Sequence, residues 1–485
     1  VAITRLPHRI EPNPSRVITR YFDADEAKSR RRIQRVLTLD DREVRRLLDG
    51  LLMDYEGQHA DIEIVWRGHF ERVEALIPSG TASKLDNDRR ALIGAYFTME
   101  YAIESAALFN PSIVPTANQS GLQEGSTRFL MSLRATGEGH ISSIVFRNGV
   151  IDDKDNIIIE DSSPLSRPLK TIADTEFEKA HFMHTLRDIG ALTPAGERVL
   201  SRLGDEFTLT ELEVELERSR ESEKSPSEFE ECAENMLTLA RSNYKFIIPD
   251  EAYTSEVVIF PSSENESRGI EDLRLVRFTE DDGTNVLYGT YTAYNGFAIF
   301  PTLLENRDPD SVEIHTMAGR YAKNKGMALF PRKINGRYVM SGRLDGENLF
   351  ILQSDNVSVW NEGRLSQVPK YWWEFSVIGN CGSPVETEEG WLMLTHGVGP
   401  MRQYCIGAVL LDLEEPWRVI GRTREPLLWP AGDERVGYVP NVVYTCGVLA
   451  HNDRLIIPYA ASDTLTTFAM VSLPELLSAL KNGGE

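Results

Sequence analysis

The sequence predicts an all-β body of the β-propeller kind, with helical additions. From Lys245 onward nearly every periodic stretch alternates as a short strand, and the strands are separated by Asn-Gly, Asp-Gly and Glu-Glu-Gly turns. No helical pattern stands between those strands, which excludes the parallel crossovers of an α/β sheet. The recurrence of strand, turn, strand and longer loop favours a propeller over a sandwich or barrel, although no WD or kelch repeat runs through it.

Composition bounds the function. A chain of 485 residues with 41% hydrophobic and 26% charged residues is globular and long enough for a large core. The formal net charge of −22 argues against nucleic acid or an anionic membrane as partner. A neutral substrate, or a small anion held in a local basic pocket, stays open. The four cysteines, Cys232, Cys381, Cys405 and Cys446, form no CxxC pair and no zinc spacing with histidine, so free thiols and no metal site are expected. The N-terminal stretch carries prolines, arginines and acids, and no apolar run reaches membrane-spanning length, so the expected location is cytoplasmic.

Along the chain, Val1 to about Arg35 shows no period and is expected to pack as an irregular arm. Helical spacing then recurs over Asp40–Gly57, Ala60–Ile77 and Ser83–Phe109. Val44, Leu47, Leu48, Leu51 and Leu52 make one stripe and Ile64, Phe70, Val73 and Leu76 another. Such stripes need a partner, and self-association of the chain through these helices is one expectation. Residues 1–109 are thus read as an N-terminal extension and 110–485 as the β body. At Asn110 the period becomes strand-like, through Asn110–Val114, Arg128–Arg134 and His140–Arg147. A helical insertion is expected at about 171–241, its charged centre at Glu211–Glu231 forming a solvated face. The strands expected beyond it are Asn285–Tyr294, Met327–Lys333, Arg337–Arg343, Asn348–Gln353, Trp391–His396, Ile406–Leu413, Val439–Val448, Leu455–Tyr459 and Phe468–Leu473.

Chemistry is expected first at Gly269-Ile270-Glu271-Asp272-Leu273-Arg274. Two neighbouring carboxylates can raise one another's pKa, which suits a general acid. On a regular strand Glu271 and Asp272 point to opposite faces, so one reaches a pocket while the other braces the backbone or pairs with Arg274. By itself an acidic pair beside an arginine is usually a solvated ion cluster.

Several segments together resemble glycoside hydrolase family 130, the inverting β-mannoside phosphorylases and related β-mannosidases built on a five-bladed β-propeller. They are Asn110-Pro111, Gly269–Arg274, Ala328–Gly336, Arg343, Glu388–Trp391 leading to His396-Gly397-Val398, Gly407–Leu413, Pro440–Val443 and Tyr459–Asp463. The resemblance implies that Asp272 is the general acid, with Leu273 where the family's Glu-Asp-Pro-Arg has proline, and that it passes its proton through the 3-hydroxyl of bound mannose. It places Asn110, Arg134 and Asp463 on sugar hydroxyls, with Glu271 and Arg274 beside them; the bland alternative for Asp463 is a turn residue. The implied substrate is a β-linked manno-oligosaccharide, with no cofactor beyond inorganic phosphate as co-substrate.

Phosphate as nucleophile needs preorganised positive charge, and the resemblance supplies Lys325, Arg343 and His396, with Tyr404 as a further hydroxyl donor. Against phosphate stands Glu386, where the family's phosphorylases tend to carry lysine. As a general base on water it would make the chain an inverting hydrolase. Glu434 is a second candidate base. A non-catalytic carbohydrate-binding propeller is the remaining alternative, and retention of Asp272 argues against it.

Overall fold

Among the described residues, short strands fold into five sheets of four or more strands each, antiparallel except for one short parallel pair, Val257–Ile259 with Arg167–Pro168, and taken here as sheets I to V in chain order. The structure, a computed structural model, describes residues 1–55, 57–78, 80–172, 176–188, 190–220 and 226–483. Sheet I runs from Ala107–Pro115 through Thr127–Thr136 and Ser142–Ile151 to Val257–Ile259. Sheet II runs from Ile270–Thr279 through Asn285–Tyr294 and Ile299–Asn306 to Ser311–Thr316. Sheet III is Ala328–Leu329, Tyr338–Gly342, Leu349–Ser354 and Glu362–Gln367, and sheet IV is Val377–Asn380, Gly390–Val398, Tyr404–Leu411 and Val419–Arg422. Sheet V joins Val443–Tyr444, Arg454–Ala461 and Leu465–Ser472 to the N-terminal strand Ile3–Ile10.

The first strand of each sheet, or the turn that follows it, reaches one shared cavity of about 510 Å³, lined among others by Ile113, Leu275, Arg332, Pro384 and Val448. Between neighbouring sheets the core is continuous: Leu394, Ile406 and Leu410 of sheet IV pack on Leu455, Ile457 and Ala469 of sheet V. Pairing of Ile3–Ile10 with Leu465–Ser472 ties the two ends of the chain together.

The expected irregular arm is therefore a correction. Val1–Arg35 contains the strands Ile3–Ile10 and Val17–Tyr21 and the start of the helix Glu26–Leu37. The first strand alternates half-buried and exposed residues without a strongly apolar face, which hides it from a hydrophobicity reading. The third expected helix is shorter than its pattern: it spans Asn87–Ala95, and Ala107, Leu108 and Phe109 lie fully buried in the first strand of sheet I. A continuous apolar run fits a strand buried on both faces as well as it fits a helix. The other two helices, Asp41–Asp54 and Ile62–Val73, pack with Asn87–Ala95 around Val44, Leu48, Trp66, Phe70, Val73 and Ile93. The apolar stripes that motivated self-association are thus spent within this subdomain, apart from the exposed Ile64.

The insertion is helical as expected, with Lys179–Asp188, Pro194–Ser201, Leu209–Arg220 and Pro226–Arg241 around a core of Phe182, Leu200, Phe207, Leu212 and Met236. Its charged centre is not wholly a solvated face, because Glu215 is buried and held by Arg202 and Arg218. Part of that centre, 221–225, lies outside the described residues. All four cysteines are free and buried.

Glu434, buried, accepts from Arg5 Nε at 3.0 Å, Tyr459 Oη at 2.5 Å and the Ala431 amide at 3.0 Å, clamping the N-terminal strand to sheet V. Arg5→Ala leaves that carboxylate short of a cation, and the half-exposed pair is expected to cost about 1–2 kcal/mol, read as a lower urea midpoint at unchanged slope.

Candidate active site

Two β-bulges build the site. In sheet II, Glu271 pairs with Thr292 and Arg274 with Thr290, so Asp272 and Leu273 together face one partner residue. In sheet I, Phe109 pairs with Arg134 and Ser112 with Ser132, so Asn110 and Pro111 do the same. Each bulge sets one residue in the left-handed region, Asp272 at φ 60° and Asn110 at φ 49°, a conformation that Asp and Asn tolerate better than most side chains. Proline fits the second bulge because no ladder donor is required there. Gly269, at φ 121°, lets the chain enter the strand tight against Ser142, where a Cβ would lie 2.7 Å from its Oγ.

The bulges aim both side chains at each other, and Asn110 Nδ2 donates to Asp272 Oδ1 at 2.7 Å. Arg134 Nη1 donates to the same oxygen at 3.3 Å, while its Nη2 donates to Glu271 Oε1 at 3.1 Å. Glu271 Oε2 accepts from Lys325 Nζ at 2.6 Å. Glu271 and Asp272 therefore reach one cluster, contrary to the expectation of opposite faces, because the bulge interrupts the alternation of the strand. Among the described residues Asn110 Oδ1 and Arg134 Nε have no hydrogen-bond partner, leaving an acceptor and a donor unspent, the combination that meets a sugar hydroxyl.

Arg274 lies beneath this cluster, 2% exposed. Its Nη1 donates to the Asp272 carbonyl at 2.8 Å, Nη2 to Tyr444 Oη at 2.8 Å and Nε to Asn380 Oδ1 at 3.3 Å, so it joins sheets II, IV and V. It is thus a strut of the site and not an exposed sugar contact. Asn380 Nδ2 donates in turn to the Gly326 carbonyl at 2.5 Å. Around Gly326, at φ 82°, a Cβ would stand 3.6 Å from Arg274 Nη2 and 3.7 Å from Arg343 Nε, so three cations, Arg274, Lys325 and Arg343, converge on one backbone turn. Arg343 is half-buried and makes no ion pair among the described residues; its Nε lies 3.5 Å from the Lys325 carbonyl.

His396 is buried, with Nδ1 3.0 Å from the Asn380 carbonyl and its ring stacked on Tyr404 at 6.2 Å. Burial, then the charge of Arg343, hold its pKa well below the ordinary value, so the imidazole is neutral at pH 7. With Nδ1–H donated to the carbonyl, Nε2 is an acceptor. His396 therefore does not add the positive charge expected of it.

Asp463 sits with Ser462 on the turn between the last two strands of the chain, both in the left-handed region at φ 49° and 47°. Its neighbours by charge are Asp272, Glu271, Arg134 and Arg402. Burial first, then the charge of Asp272, push its carboxyl up to about 7 against the opposing pull of Arg134 and Arg402. For Asp272 burial also works upward, but Arg134, Arg274, the Asn110 hydrogen bond and Lys325 outweigh it and hold the carboxyl below its ordinary value.

Glu386 stands elsewhere. Its oxygens are gripped by Arg332 through Nε at 3.0 and 3.1 Å and Nη2 at 2.6 Å, and Arg332 bridges Thr279 at the far end of the Asp272 strand. Seven residues of strand separate Thr279 from Asp272, roughly 20 Å. The expectation of Glu386 as a base opposite the acid is overturned by that distance and that ion pair. Three residues of the site carried little signal in the sequence. Asn380 lies in a Gly-Asn-Cys-Gly turn that marks a close approach, Arg402 lies on a strained turn after Met401, and Tyr444 is one aromatic in a buried strand.

Residues 229–482 match the family model described as beta-1,4-mannooligosaccharide phosphorylase, which is more than half of the chain. A 1,2-beta-oligomannan phosphorylase from a Thermoanaerobacter species is 34% identical over 234 residues, covering 45% of this chain and 73% of the relative. A beta-1,4-mannooligosaccharide phosphorylase from Ruminococcus albus is 38% identical over 171 residues, covering 33% and 51%. Among solved structures, the beta-1,2-mannobiose phosphorylase from Listeria innocua in complex with beta-1,2-mannobiose superposes with a TM-score of 0.45 at 21% identity, over 78% of this chain and 92% of that one. With a family match of that extent, and a relative of that identity aligned over most of its length, this chain belongs to glycoside hydrolase family 130.

Proposed function

We propose that the chain is an inverting β-mannoside phosphorylase. It transfers a mannosyl unit from a β-linked manno-oligosaccharide to inorganic phosphate, releasing α-D-mannose 1-phosphate and a shortened sugar. Sheets I to V are read as the five blades of a closed propeller, with the Asp272 cluster on one end of its axis and the Arg332–Glu386 pair on the other.

The observation that carries this reading is Arg343, which has no ion pair among the described residues, beside Lys325 and Arg274. Five cations, Arg134, Arg274, Lys325, Arg343 and Arg402, surround three carboxylates, Glu271, Asp272 and Asp463, in a protein of strongly negative net charge. Such a local surplus suits a dianionic nucleophile held opposite the departing sugar. Neutral His396, an acceptor at Nε2, fits the P–OH of hydrogen phosphate, and Tyr404 supplies a hydroxyl next to it. Asn110, Arg134 and the Asp272–Asp463 pair take the mannosyl hydroxyls, and that pair supplies the proton for the leaving oxygen. Neither base weighed for the hydrolytic alternative favours it, since Glu386 is held by Arg332 away from the Asp272 cluster and Glu434 is engaged by Arg5, Tyr459 and Ala431.

With β-1,2- or β-1,4-mannobiose, mannose 1-phosphate is expected only when phosphate is present, by chromatography of the products; free mannose at equal rates with and without phosphate would overturn the reading. Arg343→Ala is expected to raise the KM for phosphate at least about tenfold while the KM for mannoside moves little, by loss of a charge-assisted contact. Glu386→Gln is expected to leave turnover within about twofold of the parent, its loss being a partly exposed ion pair away from the chemistry.

A further inference from the structure

The cavity of about 510 Å³ that the five sheets share plays no part in the chemistry proposed above. Arg277 lines it, on the same strand, Ile270–Thr279, that carries Asp272. Five residues of strand separate the two, roughly 16 Å. Val114, Leu275, Val385, Val448 and Leu449 supply apolar walls from four of the sheets. Such a volume, with mostly apolar walls and a few polar groups, is the usual form of a small-molecule site. Two polar groups in it are unspent. Among the described residues Arg277 makes no ion pair, and its side chain makes one hydrogen bond, from Nη2 to the Pro115 carbonyl at 3.3 Å. Its Nε is enclosed without a partner, and so is Ser383 Oγ. Glu386, which also lines the cavity, is held by Arg332. Burial holds the Arg277 guanidinium below its ordinary value with no acid to offset it, yet an arginine there stays charged. Other enclosed guanidiniums of the fold are answered: Arg16 and Arg147 share Glu104, Arg422 meets Glu374, and Arg274 meets three oxygens. An arginine whose stem merely covers apolar surface carries its head to water, which leaves the enclosed Nε unexplained.

We infer that this cavity binds a small carboxylate with an apolar tail, its carboxylate on Arg277 with Ser383 beside it and its tail against Leu275, Val385 and Val448. A planar guanidinium matches a carboxylate in shape and charge, and the contact gains strength where water is sparse. The apolar walls then select the tail. The net charge of −22 gives the protein no general attraction for anions, so recognition rests on this cation and these walls. The site lies at the end of the strand remote from the Asp272 cluster, and the inference goes beyond the phosphorolytic reading without resting on it.

Titration calorimetry of the full chain with butyrate, hexanoate and octanoate tests it, with acetate and 1-octanol as controls. The expected result is one saturable site per chain, tightening about three- to fourfold for each added methylene. Arg277→Gln is expected to weaken octanoate at least about tenfold and to leave 1-octanol unchanged, since only the charge-assisted contact is lost. No saturable binding of octanoate to the parent overturns the inference. Equal affinity in Arg277→Gln overturns it too, as does 1-octanol binding as tightly as octanoate, or acetate doing so. A crystal of the parent soaked with 8-bromo-octanoate supplies a reading that no variant's folding affects. Its carboxylate is expected within hydrogen-bond distance of Arg277, with the bromine among the apolar walls, and density anywhere else contradicts the assignment. Neither measurement needs turnover, so failure of the phosphorolytic reading would leave both results standing.

Discussion

The hydrogen bond from Asn110 to Asp272 spans two adjacent sheets, and it exists only because both strands are bulged at the same level. A regular strand would turn alternate side chains away from the axis, and Glu271 and Asp272 would not share Arg134. The two bulges cost ladder hydrogen bonds and place Asp272 and Asn110 in backbone conformations of higher energy. Packing on both sides holds them, with Ser112 Oγ accepting from the Leu275 amide at 2.9 Å and Ser142 Oγ donating to the Ile270 carbonyl at 2.8 Å.

Charge is managed locally. Arg274, almost fully buried, is satisfied by a carbonyl, a phenol and an amide, and it fastens three sheets at the end of the axis where the reacting groups collect. A buried guanidinium of this kind is costly to leave unpaired, so its partners Asn380 and Tyr444 are as much a part of the site's construction as the residues that meet substrate. Arg343 differs: among the described residues it has no ion pair, and its Nε reaches only the Lys325 carbonyl, at 3.5 Å. His396, neutral through burial and the charge of Arg343, adds no further charge to the pocket.

Much of this was legible in the sequence, and the failures have physical causes. The strand Asn285–Tyr294 is legible because Asp282-Gly283 and Asn295-Gly296 turns bound it, although it is buried on both faces for most of its length. The resemblance implies sugar-binding, acid and phosphate-binding roles for Asn110, Arg134, Glu271, Asp272, Lys325 and Asp463, and the structure brings Asn110, Arg134, Glu271, Asp272 and Lys325 into one hydrogen-bonded cluster. The side on which Glu271 points is not legible, because a bulge is a two-residue event with no hydropathic signature. The place of Glu386 is not legible because sequence reports its distance to His396 along the chain, while the strand Gly390–Val398 sets the two toward its opposite ends. The strand Ile3–Ile10 was hidden because its partner, Leu465–Ser472, lies at the other end of the chain, and pairing over that separation leaves no local mark.

The central claim is that one end of the axis holds sugar on Asp272 and Asp463 and phosphate on Arg343 and Lys325. A crystal structure of the enzyme soaked with mannose 1-phosphate tests it most directly. The expected result is a mannosyl ring within hydrogen-bond distance of Asn110, Asp272 and Asp463, its phosphate against Arg343 with Lys325 beside it. Product bound instead at the opposite mouth near Arg332 and Glu386, or in the cleft of about 630 Å³ between the insertion and sheet II, would contradict the account.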